Sequence, residues 1–410
     1  MRLVLASNRL STPGGSETYL LTLARHLQRL GHEVYVMSGP ENGAADLVEH
    51  HALVRVRRAE DLPAPPDRLI VQDAIVSGEA ASTWPDVPQL FVVHSGTHDL
   101  QLTSAVPGAV AGYLVLNDYT RKLAEALPGG RPVHRLTQPV DVAHFTPAAP
   151  PRPRPERLLV FGNNLARWRF EGLEATCRRR GIEVRRVGAV GGQMVLDPLE
   201  EIQAADIVVG VGRCIVEAMA CGRAAFVYDR WGSDGWLTRE SYAAIEAAGF
   251  AGRAGTDEPG RSQFEDVLDG YDPVHGTEGY DLAVRHHNAR VHSAQVLEVL
   301  ETLGPVEPVD PDLAFTLARV WREAWRWEGR ALALDVQVRS QAEADAGRVQ
   351  ALEAELASAR REVQDLEAQV AQLRDDAARL RQDLDGVHRS RSFALARRIT
   401  ALGRAFGRGE

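Results

Sequence analysis

Residues 206–229 constrain the fold more than any other stretch, because their pattern is that of a strand, a glycine turn, a helix and a second strand. The apolar run 207–209 is typical of a strand buried in a parallel sheet. Gly210 and Gly212 interrupt this run, and the helix that follows ends at Gly222. The stretch therefore predicts one repeat of an α/β fold.

The same stretch carries residue types that suit a nucleotide. A Gly-x-Gly turn before a helix favours a phosphate or diphosphate, because backbone N–H groups and the positive end of the helix dipole meet there. Glu217 lies four residues after Arg213, so both side chains project from one helix face. A carboxylate there can hold ribose hydroxyls, and a guanidinium can hold phosphate oxygens. A packing turn with a surface ion pair would use the same residues, so both interpretations remain open at this point.

The first part of the chain predicts a parallel sheet. At 410 residues the chain is too long for one core and suits two domains with further elements. Gly14 and Gly15 form a glycine turn between the first strand and the first helix, and His94 directly follows a buried strand. Ligands of open α/β sheets bind beyond the carboxyl ends of the strands, so His94 is a candidate site residue. The predicted strands are 3–6, 34–37, 69–71, 90–93 and 112–116, and the predicted helices are 18–30 and 119–127.

Residue spacing and composition exclude several classes of protein. His98 follows His94 at helical spacing, but no third ligand lies nearby in the sequence, and no metal site is predicted. A formal net charge of −9 argues against a general nucleic-acid binder. The three cysteines show no Cys-x-x-Cys spacing, which favours neither a disulfide framework nor a zinc site. No signal peptide or membrane-spanning run is recognisable, so a cytoplasmic protein is expected.

A proline-rich run at 148–155 predicts an interdomain linker, and a second α/β domain begins at Leu158. Asp310 followed by Pro311 is a typical helix start, and this helix carries tryptophans that we expect to pack against the body of the protein. The elements predicted for the second domain are strand 158–161, helix 170–180, strand 184–187, helix 199–204, the stretch 206–229 and a closing helical region at 280–303.

The C-terminal part carries a heptad repeat of apolar residues, which predicts a coiled coil. Valine at three a positions and leucine at four d positions favour a parallel dimer, although a heteromeric partner remains open. The repeat consists of Val349, Leu352, Leu356, Ala359, Val363, Leu366, Val370, Leu373, Ala377, Leu380, Leu384 and Val387. The basic segment 390–410 has the composition of an interfacial amphipathic helix that contacts anionic lipid, and equally that of a frayed basic tail.

Four motifs together resemble the retaining glycosyltransferases of the GT-B architecture, in particular the family 4 type. They are the Gly-Gly-Ser-Glu turn at 14–17, His94 after its strand, the linker Pro-Val-Asp-Val-Ala-His-Phe-Thr-Pro at 139–147, and Glu-Ala-Met-Ala-Cys-Gly at 217–222. The resemblance covers residues 1 to about 300. It rests on the order and spacing of the motifs.

The resemblance implies an α/β fold with two Rossmann-like domains facing a cleft, followed here by the helical coiled coil. It implies a nucleotide-diphosphate sugar as donor, a cell-surface glycan or lipid-linked acceptor, and neither a cofactor nor a metal. His94 would be catalytic, and the donor would be held by Gly14, Gly15, Arg167, Arg169, Gly210, Gly212, Arg213 and Glu217. The predicted division is an acceptor domain (1–147), a linker (148–156), a donor domain (157–304), a tryptophan-rich docking helix (310–340), a coiled coil (341–388) and a basic tail (389–410).

Two positions depart from the family pattern. The second glutamate of the family, eight residues before Glu217, is Val209 here, and Asn163 replaces an arginine that would contact the diphosphate. Arg167 or Arg169 is the expected substitute for the charge of the family lysine, and Arg213 is a further residue that could compensate for it. We therefore expect a glycosyltransferase that dimerises through its coiled coil and contacts the inner face of the membrane peripherally, with a catalytically impaired scaffold as the alternative. A nucleotide-sugar epimerase suits the coiled coil and the basic tail less well.

Overall fold

The computed structural model describes residues 1–10, 13–39, 45–56, 59–96, 98–104, 106–162, 167–188, 195–229, 232–254, 264–389, 395 and 397. By its contacts the chain divides into two units, residues 1–326 and 327–410. The first unit contains two sheets, and within the described ranges the second contains only helix. Among the described residues, no helix combines the length and apolar character that a membrane crossing needs.

The first sheet is formed by parallel strands, and its centre is apolar and fully buried. Leu3, Val4 and Leu5 lie in an interior strand of this sheet, and their side chains pack on both of its faces. The strands are β1 (Arg2–Ser7), β2 (Glu33–Ser38), β3 (Val54–Val56), β4 (Arg68–Val71), β5 (Gln89–Val93), β6 (Val110–Val115) and β7 (Val133–Arg135). In the described part of the chain their order in the sheet is β3-β2-β1-β4-β5-β6-β7.

The second sheet starts after the linker, as the sequence predicts. Its order in the described ranges is β12-β11-β10-β8-β9, with β12 antiparallel to β11 and the other pairs parallel. The strands are β8 (Arg157–Phe161), β9 (Glu183–Val187), β10 (Ile207–Gly210), β11 (Ala224–Asp229) and β12 (Gly232–Trp236). The predicted α/β class with parallel sheets is confirmed.

Helices connect the strands and cover both sheets. In the first domain these are α1 (Gly15–Arg29), α2 (Ala45–His50), α3 (Ala74–Thr83) and α4 (Asp118–Glu125). Around the second sheet the helices are α5 (Arg167–Arg179), α6 (Leu199–Ala204), α7 (Arg213–Ala220), α8 (Tyr242–Ala247), α9 (Phe264–Asp269) and α10 (Val274–His286). They are followed by α11 (Ala289–Thr302) and α12 (Pro311–Arg389).

The region expected to close the second domain, 280–303, divides between the two sheets. Helix α10 packs on α7 and β11, whereas α11 packs on α1 of the first domain. Val296, Leu300 and Leu303 lie in the same apolar cluster as the leucines of α1. The chain therefore crosses between the domains twice, and its last crossing completes the core of the first.

The two crossings run side by side. Val140 in the linker donates its N–H to the carbonyl of His287 (2.7 Å) and accepts from the N–H of Ala289 (2.9 Å). These bonds form a parallel bridge between Val140 and Asn288. We refer to these paired segments as the hinge.

The start of α12 packs against the first domain, as predicted for the tryptophan-rich helix. Ala314 and Ala318 are buried, and Trp321 and Trp325 lie against the cluster that contains Ile75. Arg322 forms an ion pair with Glu79. In the second unit α12 continues as one helix to Arg389, and its association with another helix remains a prediction.

Candidate functional site

The turn before α7 requires glycine. Gly212 caps the helix with φ of 68° and ψ of −131°, a conformation that side chains with a Cβ rarely adopt. A Cβ on Gly210 would overlap the carbonyl oxygen of Phe161 and lie 2.7 Å from Sγ of Cys214. The predicted strand, turn and helix are thus present, and the N-terminus of α7 opens at the carboxyl end of β10.

The glycine turn before α1 is different. Gly14 caps α1 in an extended conformation (φ −141°), and a Cβ on Gly15 would meet no atom of the described residues within 4 Å. Glu17, in the first turn of the helix, accepts a hydrogen bond from the hydroxyl of Ser16 (2.9 Å), and burial raises its pKa. Open space at Gly15 leaves room for another molecule to approach the backbone.

His94 follows β5 and is held by neutral side chains. Its Nε2 donates to Oε1 of Gln72 (2.9 Å), and its ring lies edge-on to Tyr19 with centroids 5.0 Å apart. Burial lowers the pKa of His94 to about 3, so the imidazole is neutral at physiological pH. No described residue hydrogen-bonds Nδ1, which keeps its lone pair for a ligand.

Arg213 and Glu217 form a buried ion pair across one turn of α7. Nε of Arg213 donates to Oε1 of Glu217 at 2.8 Å. The other two nitrogens of the guanidinium also donate, Nη1 to the carbonyl of Pro139 (2.8 Å) and Nη2 to Oγ1 of Thr22 (3.0 Å). No donor among the described residues reaches Oε2 of Glu217. Burial raises the pKa of Glu217, and the charge of Arg213 opposes this rise.

A cleft of about 440 Å³ lies between the two sheets and brings these features together. It is lined by both glycine turns, His94, Arg213 and Glu217. Two further carboxylates line it, and each has a basic partner. Asp141 lies 3.3 Å from both His26 and Arg29, and Asp197 lies 3.0 Å from His144.

Most residues predicted for the site lie at this cleft, and their roles remain predictions. Gly14, Gly15, His94, Gly212, Arg213 and Glu217 line it, whereas Gly210 lies in the strand behind it. Arg167 and Arg169 belong to the first turn of α5, but their side chains lie outside the described residues. Val209 is buried in the core of the second sheet. Within the described ranges, no group of three or more His, Cys, Asp or Glu side chains has an arrangement that would hold a metal ion.

Sequence reasoning missed the residues that support the site. Gln72, Thr22 and Pro139 each contact a predicted site residue across the fold. Gln72 directly follows β4, so the rule that selected His94 at the end of β5 also applies to it. Nothing in the spacing of Thr22 or Pro139 pairs either of them with Arg213.

Comparisons with known proteins agree with this architecture. Residues 13–95, about a fifth of the chain, match the model of Glycosyltransferase Family 4. No curated protein matches the chain in sequence. The matched residues 13–95 include the glycine turn before α1 and His94.

Two solved structures of an alpha-glucosyltransferase in complex with UDP and a 13-mer DNA containing an HMU base are similar in fold. The chain shows TM-scores of 0.53 and 0.52 to them at 10% identity, over 74% of this chain and 99% and 100% of theirs. Anabaena HepE in complex with UDP and glucose gives a TM-score of 0.49 at 16% identity, over 74% of this chain and all of that one. Like the fold of these alpha-glucosyltransferase structures and of GT-B glycosyltransferases, the architecture is α/β, with two sheets whose strand pairs are parallel except for β11 with β12.

Proposed function

We propose that this chain is a glycosyltransferase that moves a sugar from a nucleotide-diphosphate sugar to a cell-surface glycan or its lipid-linked precursor. The family match at residues 13–95 and the GT-B-like fold support the class of activity. The observation that carries the proposal is Glu217, a buried carboxylate at the interdomain cleft, one oxygen of which accepts no hydrogen bond from the described residues.

The donor would bind mainly to the second domain. Oε2 of Glu217 would accept from the ribose hydroxyls, and the N-terminus of α7 at Gly212 would face the diphosphate. Gly14 and Gly15 would allow the backbone of the first domain to approach the same group. Breaking the bond from sugar to diphosphate leaves negative charge on phosphate, which N–H donors and cations stabilise. Arg167 and Arg169 are the proposed cations, and the transfer would be retaining and would need no metal.

His94 would act on the transferred sugar as a neutral group. Because its Nε2 is occupied by Gln72, Nδ1 is the atom available to accept a hydrogen bond from a sugar hydroxyl. A side chain that stays neutral at pH 7 orients such a hydroxyl without donating a proton. We expect His94→Ala to lower kcat more than it lowers donor affinity, as measured by steady-state kinetics beside calorimetric binding of the donor.

The first test is a panel of nucleoside diphosphates and their sugars measured by thermal unfolding. A ligand at 100 times its dissociation constant adds about 2.7 kcal/mol to the stability of the folded state. In Glu217→Ala we expect donor affinity to fall by about 2–3 kcal/mol, since a charged hydrogen-bond partner is removed. Glu298→Ala is the matched control, because Glu298 is an exposed glutamate on helix α11. Equal donor affinity in Glu217→Ala and in the control would contradict the ribose assignment.

A catalytically impaired scaffold is the second candidate, and Val209 favours it. This apolar side chain packs with Val160 and Phe226 in the sheet core, where it offers no group to a donor sugar. The scaffold predicts that no nucleotide sugar stabilises the protein and that none is hydrolysed or transferred.

We further propose that α12 forms a parallel coiled-coil homodimer. The described leucines and valines at the a and d positions of the heptad repeat are 46–68% exposed in the single chain. Together they form an apolar stripe along the helix, of the kind that a second helix covers in a coiled coil. Leu366→Asp, at a central d position, is expected to convert the dimer to a monomer in sedimentation equilibrium. Glu367→Ala, at the neighbouring e position, removes a like-charge pair and is expected to leave the dimer intact. A monomeric wild-type chain would favour a heteromeric partner.

The basic segment 390–410 is proposed to hold the protein at the inner face of the cell membrane. Apart from residues 395 and 397, it lies outside the described residues. Deleting it should reduce binding to vesicles that contain anionic lipid and leave the binding of nucleotide sugars unchanged. Equal partitioning of the two forms would show that this segment is no membrane contact.

A further inference from the structure

Arg213 makes three hydrogen bonds that join three separate parts of the fold. Its guanidinium contacts Glu217 on its own helix, Pro139 in the linker and Thr22 on helix α1 of the first domain, at 2.8 to 3.0 Å. We call these four residues the interdomain junction. Arg213, Glu217 and Thr22 are all buried.

This arrangement differs from what a diphosphate-binding arginine would show. Each of the three nitrogens of the guanidinium already donates one N–H to a protein acceptor, which uses three of its five N–H groups, and the side chain is 6% exposed. Releasing it toward a ligand would leave the Thr22 hydroxyl and the Pro139 carbonyl without this donor in a buried place, which is costly. These three N–H groups of Arg213 therefore serve contacts inside the protein.

The junction fixes the orientation of Glu217. Oε1 is held by Nε of Arg213, so the carboxylate keeps one rotamer and leaves Oε2 for the cleft. The guanidinium is held in turn by acceptors on the linker and on the first domain. The geometry of the ribose-binding oxygen thus depends on contacts that lie outside the donor domain.

The junction also contacts the hinge. Pro139 directly precedes Val140, the linker residue that pairs with the second crossing at His287 and Ala289. A change in the angle between the domains alters the distance from Thr22 to Arg213. We propose that Arg213 is a positioning residue, which makes recognition of the donor ribose by Glu217 dependent on the arrangement of the two domains in which Thr22 contacts Arg213.

The test uses Thr22, the part of the junction farthest along the chain from Glu217. Thr22→Val removes the hydroxyl acceptor with almost no change in shape, and Thr22→Ser retains the acceptor as the matched control. The full-length protein is titrated with UDP, GDP and ADP and with their 2′-deoxy counterparts. This inference rests on the proposed function, because it needs a ribose at Glu217.

Discrimination between ribose and deoxyribose is the decisive measurement. In the wild-type protein and in Thr22→Ser we expect the ribonucleotide to bind about tenfold or more tightly than its deoxy form, the scale of one charged hydrogen bond. In Thr22→Val this ratio should fall to about twofold, because Oε2 is no longer held in place. If Thr22 has only a structural role, Thr22→Val would lower the affinities for the ribonucleotide and for the deoxynucleotide by the same factor, and that result would overturn the inference.

Two further results separate this inference from the proposed function. If no nucleoside diphosphate binds the wild-type protein, the proposed function fails and the inference fails with it. If nucleotides bind but none is distinguished from its deoxy form, the assignment of Glu217 to the ribose fails, and the inference fails with that assignment. If the wild-type protein discriminates and Thr22→Val discriminates equally well, only the inference fails. Arg213→Lys is the second variant, since it keeps the charge but cannot reach three acceptors at once. It should lose discrimination in the same way.

Discussion

The two strand–turn–helix units that face each other across the cleft use glycine for different reasons. Before α7 the backbone at Gly212 has a positive φ, so the conformation itself requires glycine. Before α1 the backbone at Gly14 is extended, and Gly15 borders open space. The same sequence signal therefore indicates a backbone requirement in the second domain and room for a ligand in the first.

The side chains behind the two turns differ as well. Behind the turn before α1 lies a group of uncharged side chains, which we call the neutral wall: His94, Gln72, Tyr19 and His292. The hydroxyl of Tyr19 lies 3.0 Å from Nε2 of His292. The wall at α7 contains the buried ion pair of Arg213 and Glu217. Removing one member of a buried ion pair costs more than removing one neutral hydrogen bond, so the two walls should respond differently to substitution and to pH.

The largest effect is expected from the ion pair. Glu217→Ala leaves the guanidinium of Arg213 buried without its countercharge, and we expect the free energy of unfolding to fall by about 3 kcal/mol or more. His94→Ala, on the neutral wall, should cost about 1 kcal/mol. Urea unfolding of the two variants at pH 7 measures both. Equal losses would show that the two walls are not energetically different.

The next effect concerns the two turns. Gly212→Ala should destabilise the protein by about 1–3 kcal/mol, because alanine is strained at this positive φ. Position 15 is at the start of helix α1 and borders open space, so Gly15→Ala should leave the stability unchanged or raise it slightly. The added methyl group should weaken binding of a ligand that approaches this turn. Thermal unfolding with and without nucleotide sugar separates the two outcomes. A destabilised Gly15→Ala that binds donor normally would reverse the comparison.

The smallest effect is a dependence on pH in the neutral wall. Burial lowers the pKa of His292 to about 3, below its value of about 6.5 in the unfolded chain. Between these two values the unfolded state binds one more proton than the folded state, so stability is lost as the pH falls from 6.5. The loss is about 1.4 kcal/mol per pH unit for this histidine.

His292→Gln keeps a polar group near Tyr19 but does not titrate. The slope of unfolding free energy against pH, measured from pH 6.5 to pH 5, should therefore be smaller in this variant by that amount. An unchanged slope would show that His292 gains its proton in the folded protein. Glu217 acts in the opposite sense, because its raised pKa makes its burial unfavourable as the pH rises above 4.5.

Local patterns in the sequence predicted the repeating units correctly. The apolar run at 207–209, the glycines after it and the helix through Glu217 appear in the structure as β10, a turn and α7. Strands at 3–6 and 90–93 were predicted for the same reason, since period and turn chemistry are properties of neighbouring residues. The spacing of Arg213 and Glu217 also predicted that they share a helix face.

Contacts between distant parts of the chain did not follow from these patterns. Helical spacing shows that Arg213 and Glu217 are neighbours, but the meeting of Arg213 with Thr22 depends on how two domains pack. The amphipathic pattern of 289–302 shows an apolar face and not the sheet that it covers, so α11 was expected on the second sheet. Such contacts depend on how distant segments pack together, and the pattern of any one segment does not show this.

The return of α11 to the first domain determines which pieces of this protein can be separated. A fragment that ends at the linker would lack Val296, Leu300 and Leu303, and the leucines of α1 that pack on them would face water. The first domain is therefore discontinuous in the chain, whereas the second runs without interruption from β8 to α10. A circular permutant that begins after α10 would instead keep α11 beside α1, and would make the first domain contiguous in the chain.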